Sequence, residues 1–265
     1  MRVTCVQLEI TDRSKKETLE HVLGLLDRTH GSDLVLLPEL WPCGFFAFDR
    51  YTADAEPISG PLVQALRKKA RDLGIHLLTG SFVERDGPHL FNTVLLVDPA
   101  GEIRARYRKI HLFGMNSRER ELLRPGNEVT VVPTPWGKAG FAICYDLRFP
   151  ELFRRMSDLG AELFLTTSAW PQPREEAWVL LNRARAVENL AYVIACNAAG
   201  AVGERRYLGR SMIVDPNGVV LAEGGRGEAI VTADVDMGRV AESRQTFPFL
   251  DDRVFRQEFT ARNPA

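Results

Sequence analysis

Of the four cysteines in this sequence, Cys144 is the one placed to act as a nucleophile. It follows the apolar run Gly140-Phe141-Ala142-Ile143 and precedes Tyr145-Asp146-Leu147-Arg148-Phe149-Pro150-Glu151, where Pro150 suits the first turn of a helix. A thiol on such a strand-to-helix turn stands at the carboxyl end of the strand. The backbone N–H groups beside it are aimed where an oxyanion would form. The alternative is a cysteine packed as a small hydrophobe, which is where most free cysteines sit. Glu39 ends the apolar run Leu34-Val35-Leu36-Leu37-Pro38. A carboxylate at the end of a buried strand either finds a partner or takes a raised pKa, and both suit a general base; a solvated glutamate at a loop entrance would do no chemistry. Lys109 comes after Arg104, Arg106 and Arg108. By the period-two alternation of a strand it faces away from those arginines, so it points inward if they meet water, and an inward lysine needs an anion such as Glu39 or a thiolate.

The other chemistry-bearing residues are less clearly marked. His111 sits two residues beyond Lys109 and is better placed to orient neighbouring groups than to serve as the base of a Cys–His pair. Glu119, Glu121 and Glu128 flank Pro125-Gly126, and spacing does not choose among them. Cys5 and Cys196 lie inside expected strands as core residues, while Cys43, in Trp41-Pro42-Cys43-Gly44, is a loop thiol close to Glu39 that could line a pocket. No CxxC pair or His-rich spacing is present, so neither a metal nor an organic cofactor is expected.

Positioning these side chains requires many strands. Residues 2–8, 34–37, 76–82, 91–97 and 102–108 read as strands in the first half, with helices over 14–28 and 60–73; Ser14 and Glu17 make a capping box ahead of the first helix. The second half repeats the grammar, with strands over 129–132, 139–143, 163–167 and 191–197 and helices over 150–159 and 174–188. The turns Asp98-Pro99-Ala100-Gly101 and Asp215-Pro216-Asn217-Gly218 look like counterparts in two pseudo-equivalent halves. Two mixed sheets packed face to face, with helices outside, would bury the apolar runs on both sides.

The chain has 265 residues, 45% of them hydrophobic, and a formal net charge of −1 from 34 basic and 35 acidic residues. That length and core fit one domain over 1–265, with 245–265 as an arm at a subunit interface. The charge balance excludes the basic field that gathers nucleic acid or anionic lipid. An acid at Glu9, ahead of any apolar stretch of leader length, and the lack of a membrane-length run point to the cytoplasm.

In order and spacing, Pro38-Glu39, Arg108-Lys109-Ile110-His111-Leu112, Cys144-Tyr145-Asp146-Leu147-Arg148-Phe149-Pro150-Glu151 and Arg183-Ala184-Arg185-Ala186-Val187-Glu188-Asn189 resemble the nitrilase, or carbon–nitrogen hydrolase, superfamily. The resemblance implies a four-layer α-β-β-α sandwich, assembled as a homodimer or higher homo-oligomer. It maps a Glu-Lys-Cys set onto Glu39, Lys109 and Cys144 and an additional glutamate onto Glu119. It further implies hydrolysis of a small-molecule amide through a Cys144 thioester, with Lys109 and the Tyr145 N–H stabilising the oxyanion.

The stretch Ser168-Ala169-Trp170-Pro171-Gln172-Pro173-Arg174 is similar to the bacterial ω-amidase branch, which acts on 2-oxo acids such as 2-oxoglutaramate. Phe45, Tyr145, Ser168, Trp170 and Arg174 are then the substrate-binding candidates. Leu190 and Arg210 depart from the usual glutamine and histidine and leave the substrate open. The rival readings are a deaminated-glutathione amidase, an N-carbamoyl amine hydrolase, and an idle sandwich serving as a binding module.

Overall fold

The computed structural model describes residues 1–255, and its helices begin where capping chemistry directs them. Ser14 Oγ accepts the Glu17 N–H while Glu17 Oε2 accepts the Ser14 N–H, opening helix Lys15–Leu26. Pro61 and Pro150 open helices Pro61–Leu73 and Pro150–Asp158, where a missing N–H costs nothing. The first of these ends on Gly74 in the left-handed region, φ 66°.

The strands form two six-stranded sheets. The first runs Ala229–Asp234, Arg2–Gln7, Leu34–Leu36, His76–Asp86, His89–Val97, Ile103–Arg108; the second runs Val220–Glu223, Met212–Val214, Tyr192–Asn197, Leu163–Ser168, Gly137–Ile143, Val131–Thr134. Each has three parallel strands in the middle, an antiparallel hairpin on one side and a single antiparallel strand on the other. The expected pseudo-symmetry extends to the hairpin turns. Asp98 Oδ1 accepts the N–H groups of Ala100 and Glu102, and Asp215 Oδ1 accepts those of Asn217 and Val219, every bond 2.9 Å long.

Alternation along the strands explains the layering. In the first sheet Val3, Cys5, Leu34, Leu36, Leu78, Val94 and Leu96 join the core shared with the second sheet. Their neighbours Val6, Val35, Leu37, Leu77, Leu95 and Val97 pack instead with Val22, Leu25 and Leu26 and with Leu62, Val63 and Leu66 of the two outer helices. The second sheet carries Phe153 and Met156 of helix Pro150–Asp158 and Trp178 and Ala186 of helix Glu175–Asn189. The result is the helix–sheet–sheet–helix sandwich, whose strands are apolar on both faces because both are covered.

One element had no sequence signal. Strands Glu9–Ile10, Ala199–Val202 and Arg205–Arg206 form a small third sheet. The arm expected over 245–265 begins at the end of helix Gly238–Thr246, where Arg244 donates to the carbonyls of Ala161 and Leu190, and within the arm Arg253 pairs with Asp158 of the same chain. Residues 256–265 of that arm lie outside the described residues.

Candidate active site

Four strand ends converge, and two of them turn sharply. Leu40, just after Glu39, has φ 43°, and Cys144 itself has φ 47°. A non-glycine residue there costs on the order of 1–3 kcal/mol and persists only where its surroundings over-determine it. For Cys144 the fully buried Asp146 does so. Its Oδ2 accepts the Ile143 N–H at 2.9 Å and the Tyr107 hydroxyl at 2.7 Å, and its Oδ1 accepts the His111 N–H at 3.0 Å and meets His111 Nδ1 at 2.7 Å. The cysteine turn is thereby tied to the segment that follows Lys109. For Glu39, the Leu40 N–H donates to Ser81 Oγ and the Glu39 N–H to the Ser168 carbonyl.

Glu39, Lys109 and Glu119 meet with no side-chain exposure to solvent. Lys109 Nζ lies 2.8 Å from Glu39 Oε1 and 2.9 and 3.0 Å from the two oxygens of Glu119. Asn92 Nδ2 lies 2.9 Å from Glu39 Oε1 and 3.0 Å from Glu119 Oε1. The Ala169 N–H completes Glu39 through Oε2, and the Phe113 N–H completes Glu119 through Oε2.

Counting donors separates the two carboxylates. Every lone-pair direction of Glu119 faces a donor, so no position remains for a proton, whereas Glu39 Oε2 keeps one acceptor position open. Burial pushes Glu119 above its ordinary value, Lys109 opposes the shift and Glu39 adds to it; the four hydrogen bonds from Lys109, Asn92 and Phe113 favour the ionised form. Burial alone would lower Lys109, but Glu119, Glu39 and Cys144 outweigh it and hold the ammonium charged. Burial, and then the Glu39 charge, push the Cys144 thiol well up against the opposing Lys109, so it rests protonated beside Glu39.

Cys144 and Lys109 open onto a cavity of about 420 Å³, a size suited to a small organic molecule. Phe45, Phe113, Tyr145 and Trp170 are among its walls, with Arg148 and Arg174 beside them and Arg205 and Arg206 from the small sheet at one edge. Arg148 stands 4.8 Å over the Trp170 ring and Arg174 5.4 Å over that of Phe113. Neither makes an ion pair among the described residues, where no His/Cys/Asp/Glu group able to hold a metal is found either.

Residues 2–245 match the carbon–nitrogen hydrolase family. The chain belongs to that family. This carbon–nitrogen hydrolase is 36% identical to a 2-oxoglutaramate amidase of Bacillus subtilis, over 94% of this chain and 96% of that one. It is also 36% identical to the human omega-amidase NIT2, over 97% and 94% of the two chains. The solved structure of XC1258 from Xanthomonas campestris, a superfamily member with an arsenic adduct in its active site, superposes with a TM-score of 0.90 at 32% identity, covering 97% of this chain and 98% of that one.

The carbon–nitrogen hydrolase fold thus brings Glu39, Lys109, Glu119 and Cys144 to one place, with Phe45, Tyr145, Trp170 and Arg174 around the cavity. Ser168 is not among the lining residues; it is fully buried, and its carbonyl rather than its hydroxyl serves the site, by accepting the Glu39 N–H. Cys43 is likewise absent from the wall, its thiol pushed by burial up to about 12. His111 stacks on Phe149 at 3.7 Å and binds Asp146, in keeping with an orienting role. Leu190 and Arg210, the departures from the family pattern, lie off the cavity: Leu190 caps a helix, and Arg210 pairs with Glu175 and Glu223. Asn92 and Arg148 were not singled out in the sequence. The only signal for Asn92 was an amide side chain inside the largely apolar stretch Phe91 to Val97.

Proposed function

We propose that this chain is an amidase that hydrolyses the ω-amide of a small 2-oxo acid, such as 2-oxoglutaramate, to a carboxylate and ammonia through a thioester on Cys144. The observation that carries the chemistry is the open acceptor position on Glu39 Oε2, beside a protonated Cys144 in a cavity wall that also holds Lys109. The thiol proton passes to Glu39 as sulfur attacks the amide carbon, and Lys109 with the Tyr145 N–H takes the charge that develops on oxygen. Glu39 returns that proton to the departing nitrogen, the C–N bond breaks and ammonia leaves. Water then gives a proton to Glu39 while its oxygen attacks the thioester; the C–S bond breaks and the sulfur recovers its proton. Glu119 keeps Lys109 charged and pointed. Lysine is not the base here, because two carboxylates hold its proton.

The substrate class rests on Arg148 and Arg174, half-buried and without an ion pair among the described residues, which suit a carboxylate at the far end of the amide, and on the activity named for the Bacillus subtilis relative. We further infer a single-domain chain working in the cytoplasm, a setting that suits four cysteines that are all free. Homodimerisation is supported by the exposed Leu180 and Val187, seven residues apart on one face of helix Glu175–Asn189. The test is ammonia release from 2-oxoglutaramate, deaminated glutathione and an N-carbamoyl amine, with Cys144→Ala as control. Cys144-dependent turnover led by 2-oxoglutaramate supports the reading. Preference for another substrate overturns the substrate class, and release that survives the substitution overturns the chemistry.

A further inference from the structure

The buried cluster contains a residue that the reaction just described does not use. Asn92 lies in strand His89–Val97 with its side chain fully buried, and its carbonyl accepts the Lys109 backbone N–H at 2.9 Å. Its amide nitrogen has two hydrogens, and one goes to each carboxylate. Lys109 Nζ contacts the same two oxygens from the other side, so donors and acceptors alternate around a closed ring: Nζ, Glu39 Oε1, Nδ2, Glu119 Oε1, with edges of 2.8, 2.9, 3.0 and 2.9 Å. The two anionic oxygens occupy one diagonal, and the lysine ammonium and the amide N–H groups occupy the other.

The orientation of the amide is forced, since a flip would set its oxygen against both carboxylates. That orientation leaves Asn92 Oδ1 buried with no hydrogen-bond partner among the described residues, a cost to stability that a leucine of similar size would avoid. A side chain present only to fill the core would not carry that cost. We propose that Asn92 is a positioning residue of the catalytic cluster: its amide is the neutral fourth corner that fixes both carboxylates about Lys109, so that Glu39 presents its open oxygen to the Cys144 thiol. The proposal rests on the catalytic roles given above to Glu39, Lys109, Glu119 and Cys144.

Losing that corner leaves two carboxylates sharing one cation, and one of them takes up a proton more readily. The other titratable groups facing the cluster are the Cys144 thiol and the Tyr51 and Tyr207 phenols, and burial raises all three. None of them titrates on the acid side, so the acid limb of kcat/KM reports the carboxylates. The experiment compares the full chain with Asn92→Leu and Asn92→Ser for ammonia release from 2-oxoglutaramate between about pH 5 and pH 9, alongside thermal unfolding, with Cys144→Ala as the reference.

The expected result is a fall in kcat/KM of roughly tenfold or more at pH 7, carried by kcat. With it, the acid limb moves up by about one pH unit, the scale of a lost hydrogen bond to an ionised group. Serine provides the reading should the leucine protein fail to fold. Acid limbs that coincide with the parent's would overturn the proposal even if the rate fell, and would return Asn92 to the core. Persistent ammonia release by Cys144→Ala would instead sink the functional reading, so the two failures are distinguishable.

Discussion

Lys109→Met removes the cation from between two buried carboxylates and should give a protein whose stability falls with rising pH more steeply than the parent's does. The lysine nitrogen is within 3.0 Å of both carboxylates, and no side chain of the three reaches solvent. Breaking a buried pair of this kind costs about 3–5 kcal/mol because the remaining charge is left uncompensated. For a chain of this length about 2–4 °C of melting temperature goes with each kcal/mol, so the loss at neutral pH is roughly 6–20 °C.

The sign follows from the Glu119 environment. Burial already lifts its pKa above 4.5, and Lys109 is the largest influence holding it down, so removing the lysine lifts it further. A carboxyl with a folded pKa above its unfolded value destabilises the fold only where the unfolded chain would be ionised. The deficit is therefore absent below about pH 4.5, grows as pH rises through the folded pKa, and is flat above it. Thermal unfolding of the variant and the parent between about pH 4 and pH 8 reads this directly. A gap in melting temperature that stays constant over that range would refute the reasoning.

Arg174→Ala and Arg148→Ala should each raise KM for 2-oxoglutaramate by about tenfold or more, as expected for a lost charge-assisted hydrogen bond, while leaving turnover of an uncharged aliphatic amide little changed; equal losses on both substrates would remove the carboxylate role. Because Cys144 rests as a thiol with a raised pKa, its alkylation by a neutral maleimide in the absence of substrate should be slow at pH 7 and still climbing above pH 9; a rate already level near neutrality would mean a preformed thiolate. Leu180→Glu with Val187→Glu should shift sedimentation from dimer to monomer if that helix face is the subunit contact, and an unchanged assembly would assign the contact elsewhere.

What could be read from the sequence depended on how locally each feature is encoded. Glu39, Lys109 and Cys144 each follow a strand with a marked apolar or alternating pattern, so their places near strand ends were legible, and the alternation gave Lys109 its inward direction. Glu119 was not separable from its neighbours by spacing, because helix Glu119–Leu122 is four residues long and lies in a charged stretch; the family resemblance selected it. Asn92 gave almost no signal, since its importance comes from two carboxylates 53 and 27 residues away in sequence. Ser168 opens the stretch that resembles the ω-amidase branch, which made it a substrate-contact candidate, yet its side chain is buried off the cavity and the next residue supplies the N–H that binds Glu39. The hairpin bearing Arg205 and Arg206 was missed because its strands are four and two residues long, with Gly200 interrupting the first and Gly203 in the turn.

The most direct test of the central claim is to mix the protein with 2-oxoglutaramate, quench in acid on the millisecond-to-second scale, and locate the acyl group by mass spectrometry of the digest. The account predicts a 2-oxoglutaryl thioester on the peptide carrying Cys144 that forms and decays at rates compatible with turnover and is absent from Cys144→Ala. Turnover with no acyl group on Cys144, or with one on Cys43, Cys5 or Cys196 instead, would contradict it.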